Sequence, residues 1–148
     1  MEYIQRLLCQ MGLDYQVHTK DVNDDDLDEV SLFTLTYKAQ TFILQVLADN
    51  LHVKLQLQPF GVLEKDVPLA DEIIRHLNIV TNAKYCRIRE TDESSMLIIS
   101  IFVRLVHILD EDTEYLQMLL DGFHLWKQYY LHELSNIKNG GQEHCTMN

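Results

Sequence analysis

In the first part of the chain, apolar residues recur first at the spacing of a helix and then at the spacing of strands, which predicts a helix followed by strands. A helical spacing over residues 2–11 is followed by Gly12, a natural helix stop. Alternation of apolar and polar residues then predicts three antiparallel strands over 30–37, 41–48 and 51–58. The helical apolar positions are Ile4, Leu7, Leu8 and Met11.

The same reasoning divides the second part of the chain into a helix, two strands and a long helix. A helix is predicted from Asp66, an acidic cap candidate before Pro68, to about Asn82. Strands follow over 84–90, with charges on both faces as at a sheet edge, and over 96–105. The last helix begins at acidic residues 110–114 and runs to about Leu134. The predicted buried stripes are Leu69, Ile73, Leu77 and Val80, then Leu116, Leu119, Phe123, Trp126, Tyr130 and Leu134.

This order predicts an α+β fold of helix, three strands, helix, two strands and helix, with an antiparallel sheet on which the helices pack. The length of 148 residues and the absence of long linkers predict a single domain over 1–138. Residues 139–148 have little to bury and are predicted to form a flexible tail. Residues 13–29 are predicted to be a solvated loop.

Two elements carry more apolar surface than one folded copy needs. The strand at 96–105 is apolar on both faces, and the last helix has a second apolar stripe beside its core stripe. Tyrosine, which recurs on that helix, is a preferred anchor of protein interfaces. The sequence therefore predicts a homodimer or partner interface through Ile43, Leu47, Ile98, Phe102, Tyr115, Met118, Leu125 and Tyr129.

The charge of the chain limits the classes of partner that are expected, and its cysteine content indicates the cellular compartment. The chain has 23 acidic and 12 basic residues and a formal net charge of −11, which disfavours nucleic acids and anionic membranes as partners. Cys9, Cys86 and Cys145 have no CxxC spacing, which favours reduced thiols. The N-terminus lacks the pattern of a secretion signal, and no apolar stretch approaches the ~20 residues that span a bilayer. A cytoplasmic protein is predicted.

The sequence contains no strong pattern of catalytic or metal-binding residues. The acidic run of residues 21–29 fails as an EF-hand loop begun at Asp21, because loop position 6 is Asp26 and position 12 is Leu32. His124 and His132 are eight residues apart, whereas helical zinc ligands prefer a spacing of four. No GxSxG elbow or phosphate-binding loop occurs. The sequence thus predicts no enzyme, no metal and no cofactor.

One stretch carries a family resemblance. Residues 77–88, Leu-Asn-Ile-Val-Thr-Asn-Ala-Lys-Tyr-Cys-Arg-Ile, combine an Asn-bearing helix end with a strand that holds an aromatic and a basic residue, and a long helix with Trp126 follows. With its order of elements, the chain resembles over residues 2–134 the YbjN family of bacterial sensory transduction regulators, within the type III secretion chaperone-like fold. The acidic insertion at 21–29 and the polar tail depart from that family.

The resemblance implies a small, acidic, cytoplasmic protein, often dimeric, that holds other polypeptides and has no catalytic motif. Together with the apolar surface, it favours a non-enzymatic binding module, chaperone-like or regulatory, that acts as a dimer on an unknown protein partner. The alternative is a small-molecule sensor with a pocket between the sheet and the last helix.

Overall fold

The computed structural model describes residues 2–19, 31–47 and 49–147, and for residues 19, 31 and 140–147 it describes the backbone alone. It has three helices and an open antiparallel sheet of seven strands, which confirms the α+β class. The chain divides into two compact units, the first of residues 1–58 and 100–121 and the second of residues 59–99 and 122–148. Within the described ranges, no helix is long and apolar enough to cross a bilayer.

The first unit contains one helix, four complete strands, the end of a fifth strand and the beginning of the long helix. The elements are α1 (Glu2–Gln10), β1 (Asp14–Thr19), β2 (Ser31–Tyr37), β3 (Gln40–Val46), β4 (His52–Leu57), β7 (Ser94–Arg104), which enters this unit at Ser100, and α3 (Leu109–Met147), which belongs to it up to Asp121. Each strand pairs antiparallel with the next in the order β1-β2-β3-β4-β7.

Strand β1 is absent from the sequence prediction. The predicted loop is wrong for residues 14–19, which pair along their whole length with β2, Tyr15 lying beside Leu35 and Val17 beside Phe33. Two apolar residues make too weak a local pattern, and the pairing with β2 supplies the rest. The acidic run of residues 21–29, which fails as a calcium loop in the sequence, lies outside the described residues.

The two faces of this sheet differ as the alternation predicts. Helices α1 and α3 pack on one face, over buried residues that include Phe33, Phe42, Leu44, Val53 and Leu55. The other face, here called the open face, is covered by neither helical segment of this unit. It carries Asp14, Gln16, His18, Leu32, Thr34, Thr36, Thr41, Ile43, Gln45, His52, Lys54, Gln56, Ser100, Phe102 and Arg104.

The β2–β3 hairpin turns through two residues with positive φ, Lys38 at 48° and Ala39 at 63°. Lys38 Nζ and the Tyr37 hydroxyl both donate to Asp121, at 2.9 and 2.6 Å, and these bonds hold the pKa of the Asp121 carboxyl below its usual range. Leu51, predicted to face inward in the third strand, lies instead in the β3–β4 turn and is 40% exposed.

The hairpin turn offers a stability test. We expect Ala39→Gly to raise the free energy of unfolding by about 1 kcal/mol, because an alanine in the left-handed region is strained and a glycine is not. Urea denaturation followed by circular dichroism measures the change. Ala70→Gly, inside a helix, should lower the same quantity, and a loss of stability in Ala39→Gly would contradict the assignment of the turn.

The second unit is built on β7 and two helices. Its elements are β5 (Phe60–Val62), a short 3-10 helix (Glu64–Asp66), α2 (Val67–Val80), β6 (Lys84–Thr91), the first part of β7 and α3 from Gly122. Both β5 and β6 pair with β7. The predicted order has no strand between residue 58 and the second helix, so β5 corrects it, and the sheet has both β1 and β5 in addition to the five predicted strands. The charged strand β6 lies at a sheet edge, as predicted.

Several details of the two helices differ from the sequence prediction. Asp66 precedes α2, but its side chain makes no cap; it accepts from Lys138 Nζ at 2.8 Å instead. Val80, predicted to be buried, is 59% exposed, while Ala70 joins Ile73 and Leu77 inside. Helix α3 continues beyond the predicted end at Leu134 to Met147. Phe123 and Tyr130 are buried as expected, and Trp126 and Leu134 are half-buried.

Candidate functional site

Five of the predicted interface residues lie in the first unit, and all five keep some exposure. Phe102 and Met118 are each 58% exposed, and Tyr115 is 44% exposed. Ile43 and Leu47 are half-buried. Ile43 of β3 and Phe102 of β7 share the open face, while Tyr115 and Met118 lie on α3, so the structure divides these residues between the sheet and a helix.

The other three predicted residues lie in the second unit. Ile98 is half-buried and alternates along β7 with the buried Leu97 and Ile99. Leu125 and Tyr129, four residues apart on α3, are 52% and 46% exposed. These two residues of the second apolar stripe of α3 therefore lie outside the core of this unit.

Of these predicted interface residues, Tyr129 lines a groove in the second unit. The groove has a volume of about 330 Å³ and lies between the end of α2 and α3. Leu77 is buried in its wall, while Val80 and Tyr129 stay about half exposed. Its lining residues are His76, Leu77, Val80, Thr81, Tyr129, His132 and Glu133.

The end of α2 is held by side-chain hydrogen bonds that shape this groove. The Thr81 hydroxyl donates to the Leu77 carbonyl at 2.8 Å and ends the helix. The Asn78 amide pairs with the backbone of Tyr85, accepting from its N–H at 2.6 Å and donating to its carbonyl at 2.9 Å. This amide acts as a short substitute for a neighbouring strand, because it satisfies both main-chain groups of an edge residue.

Two further contacts join β6 to the helices of the second unit. The buried Tyr85 hydroxyl donates to the Trp126 carbonyl of α3 at 2.7 Å, and burial raises the pKa of this tyrosine. Arg87 makes a two-pronged contact with Asp71 of α2, at 2.7 and 2.9 Å, which lowers the pKa of that carboxyl. Both walls of the groove are thus attached to the same strand, so the groove is a built feature of this unit.

The polar groups of the groove are two imidazoles, a carboxylate, a phenol and the Thr81 hydroxyl. No group of three histidine, cysteine or acidic side chains in the described part of the chain is arranged to hold a metal ion. His76 and His132 come from separate elements, and sequence reasoning had no signal to bring them together. The groove can hold an apolar or aromatic group on Val80 and Tyr129, with Glu133 beside it for a hydrogen-bond donor.

In the first unit, a small cavity lies between the sheet and the helices. Leu8, Leu35, Leu44 and Leu116 are among the apolar residues that line it, and it has no room for a water-sized molecule. A ligand pocket between sheet and long helix, as the sensor alternative requires, is therefore not open at this place.

No family model, curated protein or solved structure matches this chain.

Proposed function

We propose that this protein is a non-enzymatic protein-binding module, chaperone-like or regulatory, that acts as a homodimer in the cytoplasm and also binds a further protein. The observation that carries the proposal is the 330 Å³ groove of the second unit, with Tyr129 and Val80 standing half exposed at its side. We extend the proposal to membership of the YbjN family and to its chaperone-like arrangement of elements.

The chemistry of the groove supports a protein side chain as its occupant. Apolar anchors of interfaces fill pockets at the centre of a contact, where tyrosine is enriched because it buries a large area at low entropic cost. Tyr129 and Val80 together offer an apolar surface at the groove that water solvates poorly and a partner can cover.

We expect Tyr129→Ser to weaken self-association about tenfold or more, because it removes an aromatic anchor worth roughly 1–3 kcal/mol. Sedimentation velocity across a concentration series measures the dissociation constant. Leu131→Ser is the matched control: Leu131 is an exposed residue of α3, at 38%, and does not line the groove. A monomeric wild-type protein, or equal weakening in both variants, would remove the support for a dimer through this groove.

A second candidate function is a small-molecule sensor, which the size and the polar groups of the same groove favour. A volume of about 330 Å³ is at the lower end of the range for ligand sites, roughly 300–1,000 Å³. A thermal-shift screen with metabolites separates the two functions. A reproducible rise of the melting temperature that Tyr129→Ser abolishes would favour the sensor.

A further inference from the structure

The open face of the first unit places two cations beside an exposed aromatic ring. Lys54 of β4 lies directly opposite Phe102 of β7, and His52 lies opposite Arg104 in the same pair of strands. Gln45 of β3 flanks Lys54 on its other side. Two cations, an imidazole and an exposed aromatic ring thus share one side of neighbouring strands.

Neither cation has an acidic partner among the described residues. Arg104 is exposed, with no ion pair or hydrogen bond of its side chain to the described part of the chain. Lys54 Nζ contacts the face of the Phe102 ring, 5.9 Å from its centre.

Among the described residues, carboxylates on this face are few. Asp14 is the single acidic residue that the described strands place on it, and it lies on β1, at the opposite side of this unit's sheet from Arg104. Asp49, in the β3–β4 turn, is already engaged: its carboxylate lies 2.5 Å from His52 Nδ1 and accepts from the N–H groups of Leu51 and His52. These bonds, the His52 side chain first, lower the pKa of Asp49 to about 2.

We propose that the open face binds an acidic peptide segment of a partner protein, with an apolar side chain of that segment on Phe102 and its carboxylates on Lys54 and Arg104. Phe102 is 58% exposed, which leaves its ring available as an anchor. Lys54 lies in the same cross-strand pair as Phe102, and Arg104 lies in the next pair on this face. Carboxylates on both sides of one apolar residue of the peptide can therefore reach the two cations. This site lies in the first unit and goes beyond the groove proposed above.

Other occupants fit this face less well. A second copy related by a two-fold axis would bring the same cations toward each other, since such an interface pairs a surface with itself. A nucleic acid would place phosphates well beyond the two cations, where the net charge of −11 on the chain would repel them. A short acidic segment needs only the local charge.

The test uses the full chain and a short fluorescein-labelled peptide of Glu and Ser with a central Phe, followed by fluorescence anisotropy. Lys54→Glu and Arg104→Glu are each expected to weaken binding about tenfold, the loss of one charge-assisted contact. Phe102→Ser should weaken it by a similar factor, and its exposure keeps the change out of the core. Added salt should weaken wild-type binding, because the contacts are at the surface.

Lys84→Glu is the matched control, since Lys84 is exposed on β6 and the substitution changes the net charge by the same amount. It should leave the dissociation constant within about twofold of wild type, as expected for a charge outside the site. Equal weakening by Lys84→Glu, or equal binding of a peptide with Gln in place of Glu, would overturn the proposal. So would tighter binding of a labelled oligothymidylate that Lys54→Glu abolishes, or a change of oligomeric state in Lys54→Glu. Because Tyr129 lies outside this face, Tyr129→Ser separates failure of the groove from failure of this site.

Discussion

Phe123→Ala is expected to lower the free energy of unfolding by about 4 kcal/mol, the usual cost of emptying a buried phenylalanine site. Phe123 has 0% exposure on α3, and its ring meets Trp126 edge to face, with centroids 4.9 Å apart and an angle of 77°. The substitution removes both the apolar burial and this ring contact. Chemical denaturation followed by tryptophan fluorescence and by circular dichroism measures the loss.

The control for Phe123 lies two residues away on the same helix. Leu125 is 52% exposed, so Leu125→Ala should cost no more than about 0.5 kcal/mol. The pair separates the core stripe of α3 from the stripe that we assign to binding. Equal losses in the two variants would mean that Leu125 is buried in the protein as it exists in solution, and the assignment of the two faces would be wrong.

Asp112→Ala is expected to lower the free energy of unfolding by about 3 kcal/mol, because it leaves several donors without an acceptor. Asp112 is 3% exposed and accepts from the Tyr3 hydroxyl and from the N–H groups of Val106 and His107, at 3.1 and 3.0 Å. The carboxylate therefore organises the turn before α3 and attaches α1 to it. Burial first, and the bond to Asp112 second, raise the pKa of Tyr3.

The turn that Asp112 holds carries its own strain. His107 has a φ of 59°, and its ring stacks on Tyr3 with centroids 4.4 Å apart. Asp110→Ala is the control, because Asp110 is exposed and its side chain accepts from Gln10 alone among the described residues, at 2.8 Å; it should cost less than about 0.5 kcal/mol. Urea melts of both variants measure the difference, and a loss in Asp112→Ala no larger than in Asp110→Ala would show that the buried carboxylate contributes little.

The strands that the sequence predicted correctly are those whose side chains alternate strongly. In β4, Val53, Leu55 and Leu57 are buried, while His52 and Lys54 are half-buried on the open face. A period of two residues determines which side of a strand is apolar before any partner is known. Strand β1 has only two apolar residues, Tyr15 and Val17, and Val17 is 36% exposed, so its identity as a strand depends on its neighbour β2.

The groove illustrates what local patterns cannot supply. The spacing of apolar residues in α2 suggested that Val80 was buried, yet the buried positions are Ala70, Ile73 and Leu77. The rotation of a helix against its neighbours decides which part of an apolar arc is covered, and that rotation depends on distant contacts such as Asn78 with Tyr85. His76 and His132 likewise face one groove only because α2 and α3 pack against each other.

The sequence by itself determined the α+β class, the two sides of the central strands and the second apolar stripe of α3. These properties depend on periodicity, which is local to each element. Tertiary structure alone decided the pairing of β1 and β5, the exposure of Val80, the groove beside Tyr129 and the placing of Lys54, Phe102 and Arg104 on one face. Such features arise when residues distant in sequence meet. The free energy of those contacts depends on both partners, so the spacing of apolar residues within one segment does not predict it.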